Sequence, residues 1–87
     1  MKPIILVGDR TSHGGTVLEG ADSTFVNGKQ VARVGDKVSC PKDGHSPAVI
    51  ISGDETTIVD GKPIARHGDK CSCGATLIAS VSDTGIV

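Results

Sequence analysis

Val34-Gly35-Asp36-Lys37-Val38-Ser39-Cys40 is the middle copy of a seven-residue motif that the chain carries three times. The other two copies run over residues 7–13 and 67–73, and the third begins with His in place of Val. Aligned on Gly-Asp, each copy has Ser at its sixth position and a residue able to bind metal at its seventh, which is His13, Cys40 or Cys73. Repeated units of this kind cannot bury their apolar faces alone and pack against one another. The alignment therefore predicts a pseudo-threefold body whose three seventh positions converge on one metal ion.

The length of the chain indicates one domain, residues 1–87. A domain this small buries a modest share of its surface, and this one has a single Phe and neither Trp nor Tyr to build a core. Small scaffolds of this kind usually need a disulfide, a metal or a partner subunit for stability. Three cysteines cannot all pair within one chain, so a metal fits the sequence better than a disulfide framework.

The charge pattern argues against several classes of protein. The net charge is −1, and basic and acidic residues are interspersed, which does not favour a nucleic-acid-binding surface. The N-terminus, residues 1–7, has too short an apolar run for a signal peptide, and no run approaches the length of a membrane span. We expect synthesis in the cytoplasm and, if the protein leaves, export without a cleaved leader.

Short β-prone runs separated by Gly, Asn and Asp predict an all-β body, because no segment has a helical apolar period. Asn27-Gly28 and Asp60-Gly61 each predict a hairpin with a type I′ turn. The Asp of each Gly-Asp pair is expected to form a turn, with Arg33 and Arg66 as possible partners. The third repeat restarts at residues 74–78 and is expected to stop before a third hairpin forms.

The predicted metal ligands are His13, Cys40, His45 and Cys73. A mixed nitrogen and sulfur set favours zinc, and four protein ligands close the site and leave no position for catalytic water. His45 lies in a loop, residues 41–47, that lengthens the second repeat, so it has no counterpart in the others. Cys71 remains a reserve ligand. His67 occupies the first position of its motif copy, where the other copies have Val7 and Val34, and it is expected to pack rather than to bind the metal.

The ordered set of motifs resembles a PAAR-repeat protein over essentially the whole chain. The resemblance is carried by the Gly-Asp turns and by four segments: Pro63-Ile64-Ala65-Arg66, Val31-Ala32-Arg33, Thr11-Ser12-His13-Gly14-Gly15 and Cys73-Gly74-Ala75. It implies a small conical or pyramidal all-β fold of short strands and hairpins with one structural Zn²⁺ near the apex. It also implies a non-enzymatic tip that caps the trimeric VgrG spike of a bacterial type VI secretion system.

Further expectations follow from that resemblance. The tip would wait in the bacterial cytoplasm, be translocated into a target cell, contact the target membrane transiently and help carry secreted effectors. We expect a monomer in isolation, with no nucleic-acid partner. Three apolar runs are candidates for the base that meets the trimer: Val17-Leu18, Val49-Ile50-Ile51 and Leu77-Ile78.

Other functions stay open on the sequence. The same resemblance covers tips of contractile phage tails. An unrelated small zinc-binding interaction module would also fit the ligand pattern. An enzyme is the third alternative: a closed four-ligand site would argue against a metallohydrolase, and tight metal binding by Cys73 would argue against a redox protein using Cys71-Ser72-Cys73.

Overall fold

The computed structural model describes residues 2–41, 48–80 and 85–86, and these residues form strands and turns with no helix. The all-β prediction is confirmed. Most strands are two residues long, as expected for a chain in which Gly, Asn and Asp recur every few residues. The strands are β1 Lys2–Pro3, β2 Arg10–Thr11, β3 Phe25–Val26, β4 Lys29–Gln30, β5 Lys37–Val38, β6 Ala48–Val49, β7 Asp54–Val59, β8 Lys62–Ile64, β9 Leu77–Ile78 and β10 Gly85–Ile86.

Six short segments pair in a closed circuit, which we call the belt. They are residues 10–11, 16–17, 37–38, 48–50, 70–71 and 76–78. β9 pairs with β2, and β5 pairs with β6, both antiparallel. Single bridges complete the circuit: Arg10 with Thr16, Val17 with Val38, Ile50 with Cys71, and Lys70 with Thr76. Each pair of neighbouring repeats contributes equivalent bridges, so the belt returns on itself. Closure leaves this part of the chain without an open strand edge.

Three antiparallel strand pairs, which we call the arms, extend from the same three repeats. β3–β4 and β7–β8 are the predicted hairpins. Their turn residues Asn27, Gly28, Asp60 and Gly61 all have positive φ, from 52° to 80°, as a type I′ turn requires.

The third arm was not foreseen: the third repeat forms no hairpin of its own among the described residues, as expected, but its last strand finds a partner elsewhere in the chain. β1 pairs with β10, with Lys2 opposite Ile86 and Pro3 opposite Gly85. In the repeat alignment these pairs match Lys29 with Val26 and Gln30 with Phe25 of the first hairpin. Strands β1 and β10 together thus form the third arm, whereas each of the other two arms is a single hairpin.

A ring of three backbone hydrogen bonds joins the repeats at the centre of the molecule. The amide of Ile5 donates to the carbonyl of Ala65, Ala65 donates to Ala32, and Ala32 donates to Ile5, at 2.8–3.0 Å. All three residues are fully buried. Alanine at two of the three positions allows the backbones to approach closely enough to form this ring.

The central ring lies between two apolar clusters, because neighbouring residues of an extended segment point to opposite sides. Ile5, Ala32 and Ala65 belong to the larger cluster, together with buried belt residues and Cys40. The residues flanking the ring, among them Ile4, Val31 and Ile64, form a smaller cluster against which Val26 and Val59 of the arms pack. The molecule therefore has one end formed by the arms and another that contains Cys40.

The three Gly-Asp turns have the same construction. Gly8, Gly35 and Gly68 have φ between 91° and 94°, a region that residues with a side chain rarely adopt. In each turn the buried Asp accepts a hydrogen bond from the amide three residues earlier, at 2.7–2.8 Å. Within the described residues, no helix has the length and apolar character needed to span a bilayer.

Candidate metal centre

His13, Cys40 and Cys73 come together, as the alignment of the repeats predicted. A nitrogen of His13 and the Sγ atoms of Cys40 and Cys73 all lie within 4.8 Å of one another. The Cys40 Sγ atom is 3.6 Å from Nδ1 of His13. Cys40 is buried, whereas His13 and Cys73 are half-buried. The three residues come from three different repeats, so this group, which we call the triad, ties together distant parts of the sequence.

The local backbone explains why the triad converges. Ser12, Ser39 and Ser72 each precede a triad residue and accept a hydrogen bond from an amide of another repeat, at 2.9–3.1 Å. The backbone amides of the same serines donate to the carbonyls of Thr16, Val49 and Thr76. Each triad residue is therefore held by two hydrogen bonds at the position immediately before it. The sequence alignment contained this serine column, but its role became visible only in the structure.

The second repeat departs from the other two just after its triad residue. Gly14 and Gly74 follow His13 and Cys73 with φ of 83° and 90°. The corresponding residue of the second repeat is Pro41, whose ring fixes φ near −65° and cannot adopt that turn. The longer loop of the second repeat starts at this residue, so the replacement of glycine by proline and the insertion occur at the same place in the chain.

The geometry of the triad fits zinc. With metal–ligand distances of about 2.3 Å to sulfur and about 2.0 Å to nitrogen, a tetrahedral site places sulfur and nitrogen about 3.5 Å apart. The separation between Cys40 Sγ and His13 Nδ1 is 3.6 Å. Thiolate and imidazole ligands select zinc over magnesium and calcium, which prefer oxygen.

The predicted fourth ligand, His45, lies outside the described residues. The reserve ligand Cys71 is not part of the triad. It is buried in the larger apolar cluster, in the column of Thr11 and Val38, and burial raises the pKa of its thiol to about 11. Cys71 therefore packs as a neutral side chain in the core.

His67 has a separate role. Its Nδ1 atom accepts a hydrogen bond from the amide of Ala79 at 3.0 Å, and its own amide donates to the carbonyl of Pro3. It does not belong to the triad. These contacts link the third repeat to β1 and to the segment after β9, which agrees with the packing role expected for it.

The carboxylates of the Gly-Asp turns are engaged in the turns themselves. Asp36 pairs with Arg33 and Asp69 pairs with Arg66, as anticipated. The hydrogen bond from Arg33 to Asp36 raises the pKa of that guanidinium. The first repeat has Leu6 in the arginine column, and Asp9 instead accepts a hydrogen bond from the hydroxyl of Ser80. These acidic groups stabilise turns and contribute no ligand to the triad.

The apolar runs suggested as a docking base are divided between core and surface. Val17, Ile50 and Leu77 are buried in the belt, whereas Leu18, Ile51 and Ile78 are 54, 55 and 42% exposed. Each exposed member has a basic neighbour: Ile78 lies opposite Arg10, and the amides of Leu18 and Ile51 donate to the carbonyls of Lys37 and Lys70. On the arms, Phe25 and Ile58 occupy equivalent positions and are 55 and 54% exposed.

The chain matches the sequence profile of the PAAR motif over residues 7–79. The matched span includes all three Gly-Asp turns and the whole triad. No curated protein sequence matches the chain.

Proposed function

Because the chain belongs to the PAAR-motif family, whose members are structural components of spike tips, we propose that it is the non-enzymatic tip of a trimeric VgrG-type spike, stabilised by one structural zinc ion. The observation that carries this proposal is the convergence of His13, Cys40 and Cys73 from three repeats of a single chain. One polypeptide with threefold-related repeats can present matching surfaces to all three subunits of a trimer.

The zinc ion would be held by the triad and by His45, and it supplies a rigid cross-link between repeats. The larger apolar cluster includes Cys40, and Cys73 packs against it. Metal ligation would add a cross-link between repeats to this packing, as small domains with a modest core usually need.

The arm end, in place of the three belt runs suggested from the sequence, would be the face that meets the spike, because it lies across the central ring from the triad. Three arms in equivalent registers surround this end. The outer strands β3 and β7 present Phe25 and Ile58, the two most exposed apolar side chains of the hairpins β3–β4 and β7–β8. A trimeric β-helix ends in three exposed strand edges, and three arms provide one contact for each edge.

The remaining features of the proposal come from the family resemblance. The tip would be made in the bacterial cytoplasm, travel with the type VI apparatus into a target cell, contact its membrane briefly and help to carry effectors. A phage tail tip would have the same architecture and would differ in its trimeric partner.

A mixing experiment with a purified VgrG-type trimer tests the stoichiometry. Mass measurement of the complex by light scattering should give one copy of this chain for each trimer. Three copies for each trimer would contradict the cap geometry. No complex with a type VI spike but a complex with a phage spike would assign the protein to a phage tail.

Paired surface variants test the docking face. Phe25→Ser with Ile58→Ser should weaken binding to the trimer at least about tenfold, since buried aromatic and aliphatic anchors dominate interfaces. Leu18→Ser with Ile51→Ser removes equally exposed side chains from the belt and serves as the matched control. Equal losses in the two double variants would contradict docking through the arms. Zinc content measured in both confirms that the triad is intact.

A further inference from the structure

The triad contains two thiols that are close enough to react with each other. The Sγ atoms of Cys40 and Cys73 lie within 4.8 Å, and both residues are thiols in the structure. A disulfide requires an S–S distance of about 2.05 Å, so the gap to be closed is at most about 2.8 Å. The flanking backbone is held by the hydrogen bonds of Ser39 and Ser72, so the approach would come from rotation of the cysteine side chains.

The two cysteines differ in access to solvent. Cys73 is half-buried, whereas Cys40 is only 4% exposed. Oxidation of a thiolate to sulfenic acid favours the more accessible cysteine, and a neighbouring thiol then resolves the sulfenic acid to a disulfide. Cys73 is therefore suited to react first and Cys40 to resolve it.

Cys71 is the competing thiol, and the fold disfavours it. It is 1% exposed and packs in the larger apolar cluster, in the column that holds Val38 in the second repeat. Its near-complete burial leaves the half-buried Cys73 as the thiol that peroxide reaches first.

We propose that peroxide converts the metal-free triad into a Cys40–Cys73 disulfide, which takes over the cross-link between the second and third repeats. The Cys73 thiolate attacks one peroxide oxygen, the O–O bond breaks, and hydroxide leaves. The Cys40 thiolate then attacks the sulfur of the Cys73 sulfenic acid, the S–O bond breaks, and a second hydroxide leaves. The two sulfurs lose two electrons to the two peroxide oxygens, and two protons convert both hydroxides to water.

This disulfide would restore part of the constraint that the metal provides. It closes a loop that spans the whole of β6, β7 and β8, and closing a long loop restricts the unfolded chain. It leaves His13, and with it the first repeat, outside the cross-link. The proposal depends on the geometry of the triad and does not depend on the spike-tip function.

The test uses the full chain after removal of metal with a chelator, followed by one equivalent of hydrogen peroxide, alkylation and tryptic mapping without reductant. Cys40 lies on the peptide 38–42, but Cys71 and Cys73 share the peptide 71–87. Cys71→Val copies the residue found at Val38 and makes the assignment unique. We expect peptides 38–42 and 71–87 to be joined in both proteins, and the cross-link to form at least about tenfold more slowly when zinc is present.

Three outcomes would overturn the proposal. They are a cross-link within peptide 71–87 of the unmodified protein, sulfinic acid at Cys73 in place of a disulfide, or equal rates with and without zinc. Cys40→Ser, which removes the resolving thiol, should abolish the cross-link and leave Cys73 to proceed to sulfinic acid. A dithiol reductant should reverse the reaction in the unmodified protein and restore zinc binding, a recovery that overoxidation would prevent.

Discussion

The triad and the central ring both join all three repeats, but they do so by different means. The ring consists of backbone hydrogen bonds among Ile5, Ala32 and Ala65, so it is nearly indifferent to side-chain chemistry. The triad consists of side chains alone, and one of its three members is His where the others are Cys. The three repeats are therefore nearly equivalent at the ring. At the triad end their positions are equivalent, but the residues at those positions differ.

This difference separates two sources of stability. At the ring, apolar burial and hydrogen bonds act whether or not a metal is bound. At the triad end, the proposed metal ion would supply stability that is lost when the ion is removed, exchanged or displaced by oxidation of its ligands. Four predictions test this separation, beginning with the one expected to have the largest effect.

Cys73→Ala should abolish zinc binding and remove the stability that the metal supplies. With free zinc at a thousand times its dissociation constant, that contribution is about 4 kcal/mol. Denaturant unfolding should show this loss in zinc-loaded protein, whereas variant and unmodified protein should unfold alike in chelator. His67→Ala, which removes a histidine outside the triad, should retain the metal. Equal zinc loss in the two variants would contradict the ligand assignment.

Ile5→Ala should weaken packing at the central ring. Ile5 is fully buried at the ring, and truncation of such a side chain costs about 3 kcal/mol. We expect the same loss in zinc-loaded and in chelated protein, with one zinc retained per chain. A loss of zinc as complete as that of Cys73→Ala would show that ring and triad are not separable.

Asn27→Ala tests an arm. Asn27 has φ of 53°, a conformation that costs an ordinary residue about 1–2 kcal/mol. Unfolding free energy should fall by that amount, while Asn27→Gly, which adopts positive φ readily, should be nearly neutral. Zinc content should not change in either variant, because the arms lie across the ring from the triad.

We expect the smallest effect on stability from the two ion pairs within the turns, Arg33–Asp36 and Arg66–Asp69. The Arg33 guanidinium is 12% exposed and lies 3.1 Å from Asp36, whereas Arg66 is 23% exposed and lies 3.4 Å from Asp69. Double-mutant cycles with alanine should give a coupling of about 1 kcal/mol for the first pair and about 0.5 kcal/mol for the second. A stronger second pair would contradict the view that burial and geometry set their strength.

Much of this organisation could be read from the repeat. The spacing of the Gly-Asp pairs placed His13, Cys40 and Cys73 in one column, and the structure brings them together. The Asn-Gly and Asp-Gly pairs gave two hairpins correctly, since those residues tolerate the positive φ that the turns require.

The remainder depended on contacts that a linear pattern does not contain. Pairing of β1 with β10 joins the two ends of the sequence, and no turn residue marks it. The exposure of Leu18, Ile51 and Ile78 depended on which side of each apolar run faced the interior. Placement of Cys71 in the core rather than in the triad also required the fold, because Cys71 and Cys73 lie on the same short segment.

The central claim is that one zinc ion joins the three repeats of a single chain. X-ray absorption at the zinc edge, with elemental analysis of the same sample, tests it most directly. The account predicts one zinc per chain, with two sulfur ligands at about 2.3 Å and two imidazole nitrogens at about 2.0 Å. Absence of zinc from protein never exposed to chelator, or a shell made of oxygen without sulfur, would contradict it.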